Sequence, residues 1–301
     1  MSMERPPIPE PPPAIVLASF GTTRTEALGG IINIKRRVER AFPDHAVRLA
    51  FTSNQVRKVW QKRRDDPAWR QAHPQTPPEV YEVQGPLAAI ANLQDQGHRR
   101  VAVQSLHIFA GEEYADLQAM VRALAGIKTI KPKWTPFASL TLGRPALGQP
   151  GEDPPHAQDI ARASAALAAD IELAQAKGAA LVYMGHGNPT FSTGAYAELA
   201  RRLRQDYPQA RIFIGVVEGF PDLEQLLEEL QAAGVGRILL KPLMIVAGDH
   251  AQNDMCGSEE SWKIALVKAG HQVECVMSGL GEMDPFADLY VENLRDALAG
   301  R

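Results

Sequence analysis

"AIVLASFGTTRTEALGGIINIKRRVERAFPDHAVRLAFT", residues 14–52, sets two short apolar runs on either side of a stretch with the period of an amphipathic helix. The runs "AIVLASF" and "AVRLAFT" read as strands buried on both faces, and a buried strand followed by a helix and another buried strand is the unit of a parallel sheet covered by helices. The rhythm continues through helical "VRKVWQKRR" and "LAAIANLQDQG" to the strand "RVAVQSLHIF". A glycine- and proline-rich patch, "LGRPALGQPGEDPPHAQD" at 142–159, interrupts it. A second series follows: an Ala-rich helix at 158–176, strand "AALVYMGHG", a helix near 194–206, strand "ARIFIGVVEG", helix "DLEQLLEELQAAG" and strand "RILLKPLMIV". This predicts an α/β fold of two lobes, 14–143 and 158–284, joined by a linker at 144–157. The proline-rich residues 1–13 are expected to be an extended tail. The last helix, about 285–301, has an amphipathic pattern that does not name its partner.

The halves read as copies. "VAVQSLHIFAGEE" at 101–113 aligns without gaps to "ILLKPLMIVAGDH" at 238–250, and "AIVLASFG" at 14–21 overlays "ALVYMGHG" at 180–187. Internal duplication is the economical explanation, although parallel strands share Val, Ile and Leu by chance.

With 301 residues and 45% apolar content the chain has enough apolar surface for substantial cores. No run approaches the roughly 18 to 20 apolar residues of a membrane helix, and prolines occupy the place of a secretion signal's apolar segment. The expectation is a cytoplasmic protein without a membrane partner. A net charge of −3 argues against nucleic acid, which needs a basic surface. The two cysteines, Cys256 and Cys275, are expected to be bystanders. There is no dinucleotide G-x-G-x-x-G and no phosphate-binding G-x-x-x-x-G-K-[ST], so neither a nucleotide nor a redox cofactor is expected. A homo-oligomer stays open.

In an open parallel sheet ligands bind at the carboxyl ends of the strands. In the second half three strand ends carry His186, Glu218 and His250, spaced 32 residues apart both times. Neighbouring strands lie about 4.8 Å apart, so the three side chains can converge on one ion. Two imidazoles and a carboxylate suit cobalt, iron, nickel or zinc, whereas magnesium and calcium prefer oxygen alone. Gly185 and Gly187 bare the backbone around His186, which suits the close approach of a flat ligand. Each residue also has an ordinary reading: a loop histidine, a solvated glutamate, and in "AGDHAQND" a turn and helix cap. In the first half Ser19, Phe20, Gly21 and Thr22 of "SFGTT", with Ser105 and His107 of "QSLHIF", are candidate lining residues at the corresponding strand ends. Arg57 and Lys58 are candidate partners for ligand carboxylates. His45, His73, His98, His156 and His271 are expected to be solvated.

The motifs "SFGT" (19–22), "AFTS" (50–53), "QSLHI" (104–108), "MGHG" (184–187), "VVEGFPD" (216–222), "PLMIVAGDHAQNDM" (242–255), "SWK" (261–263) and "SGLGE" (278–282), in this order, resemble the anaerobic, early-insertion cobaltochelatases of cobalamin biosynthesis, class II chelatases related to ferrochelatase. The resemblance covers Ile15 to about Leu298. It implies two Rossmann-like lobes around a tetrapyrrole cleft, the last helix on the first lobe, and metal ligation by His186, His250 and Glu218. It also implies Co2+ as substrate metal and sirohydrochlorin, or its reduced precursor, as the macrocycle. An iron or nickel chelatase, a zinc hydrolase and a non-catalytic tetrapyrrole or metal carrier are the competing functions.

Overall fold

The computed structural model describes residues 11–151 and 156–300. Most of the expected proline-rich tail and four residues of the expected linker lie outside that description. Strands β1 (Ala14–Ser19), β2 (Val47–Phe51), β3 (Arg100–Ser105) and β4 (Ser139–Gly143) form one parallel sheet in the order β2-β1-β3-β4. Strands β5 (Ala180–Gly187), β6 (Ile212–Glu218), β7 (Arg237–Pro242) and β8 (Gln272–Cys275) form a second, in the order β6-β5-β7-β8. The two orders are the same pattern. The aligned segments "AIVLASFG" and "ALVYMGHG" supply the strand that occupies the same inner position in each sheet, as a duplicated chain requires.

Helices cover the sheets: α1 (Leu28–Ala41), α2 (Asn54–Arg64), α3 (Pro67–Ala72), α4 (Pro86–Asp95) and α5 (Glu112–Ala125) follow strands of the first, and α6 (His156–Ala166) and α7 (Ala168–Ala176) lead into the second. There α8 (Gly194–Asp206), α9 (Leu223–Ala232) and α10 (Trp262–Lys268) follow, and α11 (Asp284–Leu298) ends the chain. Side-chain caps fix several starts: Ser53 accepts from the Val56 amide, Asp222 from Gln225, and Ser261 from Ile264.

All six residues of β1 are buried, the five apolar ones and Ser19 alike. In β5 every residue is buried except His186. One apolar core runs from Ile15 and Leu17 through Leu147, Phe286 and Tyr290 to Tyr183 and Leu239, and so spans both sheets. Separate cores fill the outer face of each. Helix α11, whose amphipathic pattern left its partner open and which the resemblance placed on the first lobe, packs against α1, β3 and β4 of the first sheet. Two buried ionic clusters reinforce this arrangement. The Arg144 guanidinium, just after β4, bonds Asp159 of α6 at 2.8 Å and Asp296 of α11 at 2.9 Å. Lys241 of β7 meets Asp170 of α7 at 2.5 Å, and the Tyr183 hydroxyl donates to the same carboxylate at 2.7 Å. Burial makes such charges tolerable only in pairs, so these contacts specify which helix lies against which strand.

Cys256 and Cys275, expected to be unconnected, form a disulfide. The pairing depends on β8 lying beside β7, a tertiary placement that a separation of 19 residues does not disclose. His271, expected to be solvated, is buried with Nδ1 2.8 Å from the Val235 carbonyl. Among the described residues no helix is long and apolar enough to cross a membrane.

Candidate active site

The carboxyl ends of β1, β3, β5 and the segment after β7 border one cleft of about 1030 Å³. His186, at the end of β5, and His250, eight residues beyond β7, stand on its second-lobe wall with ring centroids 4.7 Å apart and planes at 89°. Each ring has a partner for Nδ1. In His186 it lies 3.1 Å from the Gly187 carbonyl, and in His250 2.5 Å from the Asp254 carboxylate. A carbonyl can only accept, and a carboxylate favours a donor, so each ring in its neutral form carries its proton on Nδ1 and presents the Nε2 lone pair. This is the arrangement by which an outer partner orients a metal-binding imidazole. A single turn of π-helix, Ala251–Met255, follows His250 and brings Asp254 back beneath the ring.

Glu218 departs from the expected convergence. It ends β6 with its Cα in register with Gly187, but its side chain is exposed and absent from the cleft wall. Among the described residues no three His, Cys, Asp or Glu side chains are grouped to hold a metal. The structure therefore assembles two of the three expected groups and leaves the carboxylate at the neighbouring strand end.

The two glycines flanking His186 also serve other ends than the expected approach of a ligand. A Cβ on Gly185 would lie 2.7 Å from the Tyr196 ring, so this glycine admits an aromatic side chain of α8. Gly187 has φ of +76°, and a Cβ there would fall 1.8 Å from the Glu218 carbonyl oxygen. That oxygen accepts from the Asn188 amide at 2.8 Å, fixing the turn that presents His186.

On the first-lobe wall, Ser19, Phe20, Gly21, Thr22 and His107 line the cleft as expected. Ser105 lies behind it and meets His107 Nδ1 at 2.9 Å. Trp60 Nε1 donates to the Thr22 carbonyl at 2.8 Å and holds the "SFGTT" loop. Across the cleft mouth Arg24 pairs with Asp249 at 2.6 Å, and Gln252 bonds Glu26 at 3.0 Å, tying this loop to the turn that bears His250. Arg57 faces an adjoining pocket, while Lys58 lines neither.

His107 has a buried Nε2 without a hydrogen-bond partner, and burial lowers its pKa to about 4. Its folded pKa lies below the unfolded value of about 6.5. The contribution to stability is therefore complete above pH 6.5 and is lost as pH falls toward 4. Between those limits the wild type should lose about 2 kcal/mol more than His107→Phe, after allowing for the ring's residual solvent contact. Urea unfolding at pH 7 and at pH 4.5 checks this, and equal acid losses in both proteins would contradict it.

Sequence reasoning missed Glu113, Tyr196 and the segment Leu243–Val246, all in the cleft wall. A signal existed for Glu113. The gapless internal alignment sets it against His250, so the duplicated architecture carries a carboxylate in the first lobe where the second carries an imidazole.

Two parallel sheets of the same order, with a cleft between their strand ends, define a two-lobed α/β chelatase fold. SirB from Bacillus subtilis with Fe3+ matches at a TM-score of 0.60 and 13% identity, covering 95% of this chain and 96% of that one. SirB from Bacillus subtilis subspecies spizizenii in complex with cobalt matches at 0.56 and 13%, covering 95% of each. The chain belongs to the cobalt chelatase (CbiK) family, whose sequence model matches residues 13–299. Sirohydrochlorin cobaltochelatase CbiKC of Nitratidesulfovibrio vulgaris (strain Hildenborough) is 32% identical over 286 residues, 95% of this chain and 90% of the relative. The sirohydrochlorin cobaltochelatase of Salmonella typhimurium (strain LT2) is 30% identical over 287 residues, 95% and 96%.

Proposed function

We propose that this protein inserts Co2+ into sirohydrochlorin and releases two protons. The observation that carries the reading is the pair of imidazoles, 4.7 Å apart, each with Nδ1 occupied and Nε2 free at the wall of one cleft. Family membership and the names of the two relatives support cobalt and sirohydrochlorin as the substrates.

In this reading His186 and His250 hold the substrate metal loosely, with coordination positions open toward the cleft. Glu218, whose side chain lies outside the cleft, is left out of this donor set. The apolar wall formed by Phe20, Phe109 and Leu243–Val246 receives the flat macrocycle and excludes water around its nitrogens. As the ring nitrogens replace the imidazoles on cobalt, two pyrrolic protons must leave. Glu113 in the same cleft is a carboxylate able to accept one, and a freed imidazole can accept the other. His107, whose pKa lies near 4, stays neutral at physiological pH and adds no charge against an incoming cation.

The test mixes purified protein, sirohydrochlorin and Co2+ and follows the visible absorption of the ring, with Fe2+ and Ni2+ in parallel. Catalysed conversion with Co2+ is expected. Binding of the ring without conversion would instead make the protein a carrier, and fastest conversion with another metal would reassign the substrate.

A further inference from the structure

The turn that carries His250 is held differently from its counterpart in the first lobe. There the equivalent strand leads into α5, a helix of 14 residues whose first turn includes Glu113. In the second lobe only the five-residue π-helix Ala251–Met255 follows His250, and residues 258–260 beyond it are exposed. A single turn is too short to hold itself, because helix formation is cooperative. Ala251 and Met255 anchor one side of it in the outer core of the second sheet. Asp254, the partner of His250 Nδ1, lies outside that core and is open to solvent.

The Cys256–Cys275 disulfide supplies a further hold at this point. Cys256 is the residue after the turn and two beyond Asp254, and its amide donates to the Ala251 carbonyl at 3.2 Å. Cys275 ends β8, the edge strand of the second sheet, in register with Leu240 of β7. The bond thus ties the far end of the His250 turn to the sheet, across a separation of 19 residues. These are the only two cysteines of the chain, and both half-cystines are only partly buried. Neither is sealed in the core, so the pair is open to exchange with a thiol from solution.

We infer that Cys256 and Cys275 form a reversible redox site that controls metal capture: the disulfide holds Asp254 under His250, and its reduction releases the turn and weakens Co2+ binding. The inference rests on His250 as a ligand of the substrate metal. A dithiol in solution drives the change. Its thiolate attacks one sulfur of the bond, giving a mixed disulfide and one free cysteine; its second thiolate then displaces the other cysteine sulfur. Two electrons pass to the protein, the two cysteine sulfurs take up the protons of the dithiol, and the dithiol leaves as its cyclic disulfide. Metal affinity then falls in proportion to the fraction of protein in which His250 is correctly presented. Losing an outer partner outright lowers metal affinity about tenfold to hundredfold, so loosening it should cost about threefold to tenfold.

The experiment titrates Co2+ into the full chain without macrocycle, once with the disulfide intact and once after reduction by dithiothreitol that is removed before the metal is added. The wild type should lose about threefold to tenfold in affinity on reduction. The double variant Cys256→Ser/Cys275→Ser should show the lower affinity under both conditions. Asp254→Ala should bind Co2+ about tenfold to hundredfold more weakly than the wild type and lose nothing more on reduction, because the partner through which the disulfide acts is gone. Amide hydrogen exchange should rise on reduction over residues 251–257 and stay unchanged in β5 and β6, which a bond serving only global stability would not produce. The two states of the wild type keep the test decisive if the double variant folds poorly. Equal affinity in the two states, tighter binding after reduction, an equal loss in Asp254→Ala, or unfolding of the second lobe on reduction would each overturn the switch. Co2+ bound by His250→Ala as tightly as by the wild type would overturn the metal site instead, whatever the thiol state.

Discussion

Replacing either His186 or His250 by alanine is expected to lower the rate of cobalt insertion by at least about a thousandfold, equivalent to about 4 kcal/mol of transition-state free energy. The magnitude follows from how few groups hold the ion. The rings lie 4.7 Å apart and no third side chain is grouped with them among the described residues, so each imidazole supplies half of the protein's assembled donor set. Neither ring supports the fold. His250 is exposed and bonds only to Asp254 one turn away, and His186 bonds only to the next residue's carbonyl. Far-ultraviolet circular dichroism and melting temperature should therefore match the wild type. Single-turnover insertion rates check the prediction, and a variant retaining a tenth of the wild-type rate would contradict it.

The second large effect is on stability. Gly187→Ala should destabilise the protein by about 3 kcal/mol or more, because the left-handed backbone and a collision act together. The new Cβ would lie 1.8 Å from the Glu218 carbonyl oxygen, which is held by the Asn188 amide. Backbone must move, and the backbone that moves carries His186. Gly234→Ala separates the causes: Gly234 has φ of +59° with nothing within 4 Å of an added Cβ, so only the conformational cost of about 1 kcal/mol applies. Urea unfolding compares the two, and equal losses would show that the contact with β6 carries no weight.

The alternation of buried strands with amphipathic helices made the parallel sheets readable, because strands covered on both faces are built mostly from apolar residues, as in β1, where five of the six buried residues are apolar. The internal duplication was readable for a similar reason. Segments 101–113 and 238–250 occupy equivalent strands, so the same burial constraints act on both. Strand-end logic located His186 and His250, since topology alone delivers those positions to one side of the sheet. It failed for Glu218 because the end of a strand fixes where a Cα lies and not which way its side chain turns. The role of Gly185 was hidden for a different reason: Tyr196 arrives from a helix eleven residues later, and only packing shows that it fills the space.

The measurement closest to the core of this account is X-ray absorption of the Co2+-loaded protein without macrocycle. Two imidazole nitrogens should surround cobalt in the wild type, and one in each of His186→Ala and His250→Ala. The same number of imidazoles in all three proteins would place the ion elsewhere and contradict the site.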